Sequence, residues 1–174
     1  KLANNKWTQL GADINVEAAG DGFGKWASVS LSSDGTVLAV GGAWSNGDNS
    51  GRVRVYKYAN GKWTQWGADI NGEAVSDYFG CSVHLSSDGT VLAVGAAANG
   101  DGRVGYVRVF KYANNVWTQL GSNIYGEAFF DGVGEKVSLS SDGTVLAVGA
   151  WMNAGNGGYE SGHVRVYKYS TNNN

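Results

Sequence analysis

The sequence predicts an all-β protein that consists of three copies of one antiparallel unit. The segment Ser-Ser-Asp-Gly-Thr-Val-Leu-Ala-Val-Gly occurs three times, starting at Ser32, Ser86 and Ser140, and the copies are therefore 54 residues apart. Glycine accounts for 28 of the 174 residues and proline is absent, which indicates many tight turns and excludes a collagen repeat. No window has the 3.6-residue apolar period of an amphipathic helix.

We expect one repeat domain over residues 1–174, without a linker. Repeat 1 covers about residues 12–66, repeat 2 about residues 67–120 and repeat 3 about residues 121–169. Residues 1–11 are expected to form a strand that completes a unit. The repeat explains almost the whole chain, so a second domain is not predicted.

Each unit is predicted to contain four strands, A to D. In the first unit strand A is Val29–Leu31, and a Ser-Asp-Gly turn joins it to strand B, Thr36–Gly41. Asp-Gly between two strand-like segments is a strong hairpin signal. A loop rich in Gly and Asn leads to strand C, Val53–Tyr58, and Ala-Asn-Gly turns into strand D, Lys62–Gln65. A longer acidic connection then returns to the next strand A.

Strand B indicates how the units are arranged. Val37 and Ala39 point to one face, and Leu38 and Val40 point to the other, so both faces are apolar. A sheet with one wet face would alternate apolar and polar residues. Small four-stranded sheets that stack face to face bury both sides. A β-propeller does this, and its blades have about this repeat length.

One motif resembles a known blade. Phe79–Val83 followed by Leu92–Ala96 resembles the FG-GAP repeat of integrin-alpha-like β-propellers, and Phe23-Gly24 matches in the first copy. In the third copy Val133 replaces the Phe, and the proline of the family's Gly-Ala-Pro is missing from all copies. The resemblance implies a module for cell adhesion, interaction or structural assembly, located outside the cell or on its surface.

The FG-GAP family often binds calcium in an Asp-x-Asp-x-Asp-Gly hairpin between strands A and B. Calcium needs six to eight oxygen ligands. Here the hairpin is Ser-Ser-Asp-Gly-Thr, with one acid, so we expect neither a metal nor another cofactor. Asp34, Asp88 and Asp142 are interpreted as turn residues that accept nearby backbone N–H groups.

Acidic residues are concentrated in the connections between strand D and the next strand A. An acidic face at one end of the molecule could bind cations weakly or select a basic partner. Alternatively, each carboxylate accepts backbone N–H groups within its own loop or from the next blade, and the repetition of these acids favours this interpretation. The acids in these connections are Asp13, Glu17, Asp21, Asp69, Glu73, Asp77, Glu127 and Asp131.

Residues outside the strict repeat are the better candidates for ligand binding. Trp44 and Trp151 occupy the same position in the loop between strands B and C, where the middle copy has Ala97. An exposed Trp can stack on a sugar ring or anchor a protein partner, or it can fold over its own blade. Polar residues of the same loops are included as candidates: Asn46, Asp48, Asn99, Asp101 and Asn153. Weaker candidates are Trp26, Tyr106, Tyr125, Phe129 and Phe130.

The sequence gives little support for catalysis. His84 and His163 are the two histidines and fall on different strands, Cys81 is the single cysteine, and no zinc spacing occurs. We therefore expect a non-enzymatic interaction module. The alternatives are a carbohydrate-binding, lectin-like propeller and, below it, a glycoside hydrolase that uses the acidic loops.

Charge and hydropathy restrict the partners. The net charge is −2 and the pI is about 5.6, which gives no basic surface for nucleic acid. Apolar segments are far too short for membrane insertion. We expect a protein or glycan partner.

The phase of the repeat predicts an additional contact. Lys6–Gln9 is a strand D without its strand C, and Val164–Tyr169 is a strand C without its strand D. Three blades are also too few for a ring, which usually needs about 4–8. We expect either self-association, in which two chains joined head to tail form six blades, or pairing with the remaining blades of a longer parent protein.

Overall fold

The computed structural model describes residues 6–15, 28–97, 104–153 and 161–171. Within these ranges the protein is all-β, with 13 strands and no helix, which confirms the predicted fold class. The strands are β1 (Val29–Leu31), β2 (Val37–Gly42), β3 (Arg52–Ala59), β4 (Lys62–Gln65), β5 (Ile70–Asn71), β6 (Phe79–Leu85), β7 (Val91–Ala96), β8 (Tyr106–Ala113), β9 (Val116–Gln119), β10 (Ile124–Tyr125), β11 (Val133–Leu139), β12 (Val145–Ala150) and β13 (His163–Lys168).

The strands form three separate antiparallel sheets, which we call blades 1, 2 and 3. Blade 1 has the order β1-β2-β3-β4, and blade 2 has the matching order β6-β7-β8-β9. The short strands β5 and β10, which the sequence did not predict, pair with the first residues of β3 and β8. Among the described residues, blade 3 contains β11, β12 and β13. The predicted strand at Lys6–Gln9 is not observed, because no strand C lies beside it.

The blades stack face to face, as the apolar pattern of strand B predicts. We call the face of a blade that is directed toward the next blade its trailing face, and the opposite face its leading face. One core lies between blades 1 and 2 and includes Val53, Phe79 and Leu92, each fully buried. A second core lies between blades 2 and 3 and includes Val107 and Leu146. Packing between blades therefore buries the largest fully buried side chains of the described residues, Phe79 and Leu92.

The A–B hairpins confirm the turn interpretation of their aspartates. The Asp34 carboxylate accepts the Thr36 backbone N–H at 2.9 Å, and Gly35 follows with a φ of 71°. Asp88 and Asp142 accept the equivalent N–H groups at 2.9 and 3.0 Å. These hairpins lie at one end of the stack, the hairpin end.

The opposite end carries the loops that could hold a site. Because the strands of each blade alternate in direction, the B–C loops and the D–A connections both lie at this end, which we call the loop end.

In the described ranges, no helix could cross a membrane.

Candidate functional site

The loop end is built from two kinds of segment that are joined by backbone hydrogen bonds. Between blades 1 and 2, the B–C loop after β2 contacts the connection that leads to β6. Tyr78 N–H donates to the Asn49 carbonyl at 3.0 Å, and Ser76 N–H donates to the Asp48 carbonyl at 3.1 Å. The loop end is therefore an ordered surface across which neighbouring blades contribute side chains together.

Trp44 and Trp151 both lie at the loop end, and each is partly covered by a neighbouring segment. The Trp44 ring makes an edge contact with the Tyr78 ring at a centroid distance of 5.2 Å and remains 39% exposed. Trp151 covers Gly132, where an added Cβ would lie 2.7 Å from the indole, and remains 50% exposed. Each ring therefore packs on a neighbouring segment and still presents part of its surface to solvent, and the ligand-binding role stays a prediction.

The polar candidates of these loops are used to shape the loops themselves. Asn46 has a φ of 71°, and its amide donates to Ser50 Oγ at 3.0 Å. The Ser50 backbone N–H and hydroxyl hold the pKa of Asp48 below its ordinary value. Asn153 is buried. The candidates Asn99 and Asp101 lie outside the described residues.

Two of the predicted acids are buried turn residues. Asp77 accepts the backbone N–H groups of Glu73 and Ala74 at 3.1 and 2.8 Å. Asp131 accepts the equivalent groups of the next connection at 2.7 and 2.8 Å. Burial opposes the charge of Asp131, but the N–H of Ala128 and the side chain of Asn153 outweigh burial and lower its pKa.

The sequence predicts Tyr106 as a weak ligand candidate, but the structure places this residue inside the protein. The side chain is only 4% exposed, and its hydroxyl donates to Asp77 Oδ2 at 2.7 Å. Burial, followed by the hydrogen bond to Asp77, raises the pKa of Tyr106. This residue fixes the connection below the surface and cannot reach a ligand.

The remaining predicted acids that the structure describes pair with strand C arginines or with a nearby glutamine. Asp69 Oδ1 lies 2.9 Å from Arg54 Nε and also accepts Gln65 Nε2 at 2.7 Å. Burial raises the pKa of Asp69, but the contacts with Arg54 and Gln65 outweigh it and lower the pKa. Further contacts are Glu73 with Arg108 at 3.7 Å, Glu127 with Arg165, and Asp13 with Gln9 at 2.7 Å. Glu17 and Asp21 lie outside the described residues.

Among the described residues of the loop end, the most exposed aromatic side chains are ones that the sequence ranks as weak candidates. Phe129 and Phe130 are 66% and 59% exposed, and Tyr125 beside them is 55% exposed. The available signal was the comparison of repeats, because the equivalent positions of the preceding connection are Val75 and Ser76. Trp26 lies outside the described residues.

His84, a residue type that often takes part in catalysis, contacts the backbone of a neighbouring blade. His84 Nδ1 accepts the Leu139 backbone N–H at 3.0 Å, which is a contact between blades 2 and 3. No cluster of three or more His, Cys, Asp or Glu side chains that could hold a metal ion occurs in the described ranges. The loop end carries exposed aromatic rings in the same connections as the partly exposed side chains of Glu73 and Glu127.

The sequence matches no family model and no curated protein. Among solved structures, it is similar to a candidate 6-phosphogluconolactonase from Bacteroides uniformis, with a TM-score of 0.56, 14% identity and 84% of this chain covered. The chain spans 38% of the length of that protein. The similarity supports a propeller-type all-β fold and nothing about activity.

Two further structures are more distant. Hydrazine synthase of Kuenenia stuttgartiensis has a TM-score of 0.45 and 20% identity, over 70% of this chain and 29% of its own. TolB of Acinetobacter baumannii has a TM-score of 0.44 and 13% identity, over 82% of this chain and 32% of its own.

Proposed function

We propose that this chain is a non-enzymatic β-propeller module that binds a protein partner through its loop end. One observation carries the proposal. Away from the two outer faces of the stack and the N-terminal segment, large exposed apolar side chains are concentrated at this end. In the described ranges they are Trp44, Val75, Tyr125, Phe129, Phe130 and Trp151, whereas the hairpin end has Val116 and Tyr169.

The composition of this surface favours a protein with basic and apolar groups. Exposed aromatic residues are the usual anchors of protein interfaces. Glu73 and Glu127 lie in the same connections, and their side chains are 47% and 64% exposed. Negative charge around apolar rings would favour Lys or Arg on the partner, mainly through faster association.

An extracellular or cell-surface location belongs to the same proposal and rests on the FG-GAP resemblance. The positions that carry the resemblance have clear structural roles. Phe79 is fully buried between blades 1 and 2, and Gly80 adopts a φ of 94° at the irregular start of β6. Because β11 lacks this Phe, blade 3 matches the motif less closely.

Selection of peptides from a random library on the immobilised chain tests the proposal. We expect enriched peptides with basic and aromatic or aliphatic residues. They should bind at least tenfold more weakly after Phe129→Ala with Trp151→Ala, and normally after Val116→Ser at the hairpin end. Selected peptides that bind all three proteins equally, or no enrichment at all, would contradict a binding role of the loop end.

A carbohydrate-binding function is the second candidate, because Trp44 and Tyr78 form a partly exposed aromatic pair beside Asn46 and Asp48. Rings next to polar groups can stack on a sugar and accept its hydroxyl hydrogen bonds. A glycan array separates the two functions. Binding of one glycan class that Trp44→Ala abolishes and Val116→Ser preserves would favour the lectin. Hydrolysis of a glycoside panel would support an enzyme instead.

A further inference from the structure

The trailing face of blade 3 carries the side chains that the other blades bury. Val53 and Val55 of blade 1 are 0% and 1% exposed because blade 2 covers them. Their counterparts in blade 3, Val164 and Val166, are 70% and 67% exposed. The four positions of this face are identical in type in every blade: Val37, Ala39, Val53 and Val55; Val91, Ala93, Val107 and Val109; Val145, Ala147, Val164 and Val166.

The leading face of blade 1 is also exposed, whereas the leading face of blade 2 is buried. Val29 and Leu31 are 65% and 57% exposed. The equivalent residues of blade 2, Val83 and Leu85, are 4% and 3% exposed because they pack on blade 1. The two exposed outer faces of the stack therefore carry the same types of apolar residue as the faces that pack against each other between neighbouring blades.

A groove beside β13 lies where a strand D would complete blade 3. It has a volume of about 210 Å³ and is lined by Leu120, Gly121, Tyr167 and Tyr169 among others. Apart from Gly121 itself and its two chain neighbours, no residue has an atom within 4 Å of a Cβ placed on Gly121. The groove is therefore open at the position of this glycine.

A tryptophan fills the equivalent groove in the other two blades. In blade 2, Trp117 lies 2.7 Å from a Cβ placed on Gly67 and donates its indole N–H to the Trp66 carbonyl at 2.9 Å. In blade 1, Trp63 packs on Gly11 in the same manner and donates to the Leu10 carbonyl at 2.9 Å. The corresponding acceptor at blade 3 is the Leu120 carbonyl.

Trp7 is the tryptophan of the same Trp-Thr-Gln motif that does not fill such a groove. Its side chain is 88% exposed, and residues 6–9 form no strand. The next residues are held at blade 1, because Leu10 accepts the Trp63 indole N–H. Residues 6–9 therefore extend from the leading side of blade 1, whereas the groove beside β13 belongs to blade 3.

We propose that residues 6–9 of a second copy form the fourth strand of blade 3, in a head-to-tail contact between copies. Trp7 of the second copy enters the groove over Gly121, and Thr8 lies opposite Lys168, as Thr64 lies opposite Lys57 in blade 1. The same placement puts the leading face of blade 1 on the trailing face of blade 3. A single contact between copies thus fills the groove beside β13 and covers both exposed outer faces.

Charge supports this contact. In blade 1, Arg54 of strand C lies 2.9 Å from Asp69, which follows strand D. The counterpart of Asp69 in the N-terminal segment is the exposed Asp13, and the counterpart of Arg54 in blade 3 is Arg165. A head-to-tail contact closes when the rotation allows it. Two copies supply six blades, which is within the usual range of about 4–8 for a propeller.

Mass measurement by light scattering or sedimentation at micromolar concentration tests the contact. We expect twice the chain mass for the unmodified chain. Trp7→Ala, and Val164→Glu with Val166→Glu, should weaken association at least tenfold while circular dichroism remains that of a folded β protein. Val116→Ser, an apolar change elsewhere on the surface, should preserve the dimer. A chain that stays monomeric and folded at all concentrations would overturn the proposal.

Cysteine trapping tests the direction of the contact. Directly opposed residues of antiparallel strands lie within reach of a disulfide. Chains with Thr8→Cys and chains with Lys168→Cys should form a covalent dimer under oxidation when the two are mixed, and neither should do so alone. Cross-linking within either unmixed sample would contradict a head-to-tail contact. A monomeric internal disulfide in the double variant would instead show that a single chain closes on itself.

Discussion

His84 Nδ1 accepts the backbone N–H of Leu139 at 3.0 Å, across the boundary between blades 2 and 3. At the boundary between blades 1 and 2 the same task is performed by Ser30, whose Oγ accepts the Leu85 N–H at 2.9 Å. A side chain of strand A thus satisfies a backbone donor of the next blade. A buried donor without an acceptor costs about 1–3 kcal/mol.

His84→Ala should therefore lower the free energy of unfolding by about 1–3 kcal/mol, because Leu139 N–H loses its acceptor. His84→Ser is the matched control, since Ser30 shows that a shorter hydroxyl can accept the equivalent bond. Urea unfolding measures both variants. Equal midpoints for the Ala and Ser variants would show that this hydrogen bond contributes little.

Gly95→Ala should destabilise the chain by about 2–3 kcal/mol or more, because a Cβ there would lie 1.8 Å from the Gly134 carbonyl oxygen of the next blade. Gly149 occupies the same repeat position in blade 3, and its Cβ would meet nothing closer than 3.6 Å. Both changes are best compared by urea unfolding in a Trp7→Ala background, which removes contacts between copies. A Gly149→Ala variant as unstable as Gly95→Ala would contradict the described blade packing.

The hairpin aspartates should make the melting temperature depend on pH in acid. The Ser32 hydroxyl, followed by the Thr36 N–H, lowers the pKa of Asp34 to about 2, and Asp142 is held at about 2 in the same way. Because the pKa is lower in the folded state, the stabilisation is present above about pH 4 and is lost as the pH falls toward 2. Asp34→Asn should reduce the drop in melting temperature between pH 5 and pH 2. Asp13→Asn serves as the control, and an unchanged drop in both variants would contradict the prediction.

Cys81 should be nearly unreactive in the folded chain. The residue as a whole is half-buried, but its Sγ lies 3.4 Å from the carbonyl oxygens of Gly95 and Gly134. Burial raises the pKa of the thiol to about 12, so little thiolate exists at pH 8. Alkylation by iodoacetamide at pH 8 should be at least a hundredfold slower than in denaturant. Complete labelling of the folded chain at the unfolded rate would refute this description.

Much of the fold followed from local patterns in the chain. Asp34-Gly35 indicates a hairpin because its turn chemistry requires a positive φ at the glycine, which is observed. The apolar pattern of strand B indicates a sheet covered on both faces, and this is observed in blade 2, where Leu92 and Val94 lie in one core and Val91 and Ala93 lie in the other. The short strands β5 and β10 were not predicted, because two-residue pairings depend on contacts that no sequence period encodes.

The candidate site was predicted less completely. The sequence placed Trp44 and Trp151 in loops of the same kind, and both lie at the loop end with exposed faces. It could not show that Tyr106 is buried against Asp77, because that contact joins residues 29 positions apart. Nor could the sequence show that Phe129 is more exposed than Trp44 and Trp151, since exposure depends on how the connection folds over blade 3.

The number of repeats, the positions of the main strands and the hairpin chemistry were determined by the sequence alone, because each depends on residues close together in the chain. Which copy of a repeated residue is buried was decided by the tertiary structure. Trp7 and Trp117 share one Trp-Thr-Gln motif, yet Trp117 packs on Trp66 whereas Trp7 is 88% exposed. The physical reason is that a strand D buries its tryptophan only where a strand C and a neighbouring blade lie beside it.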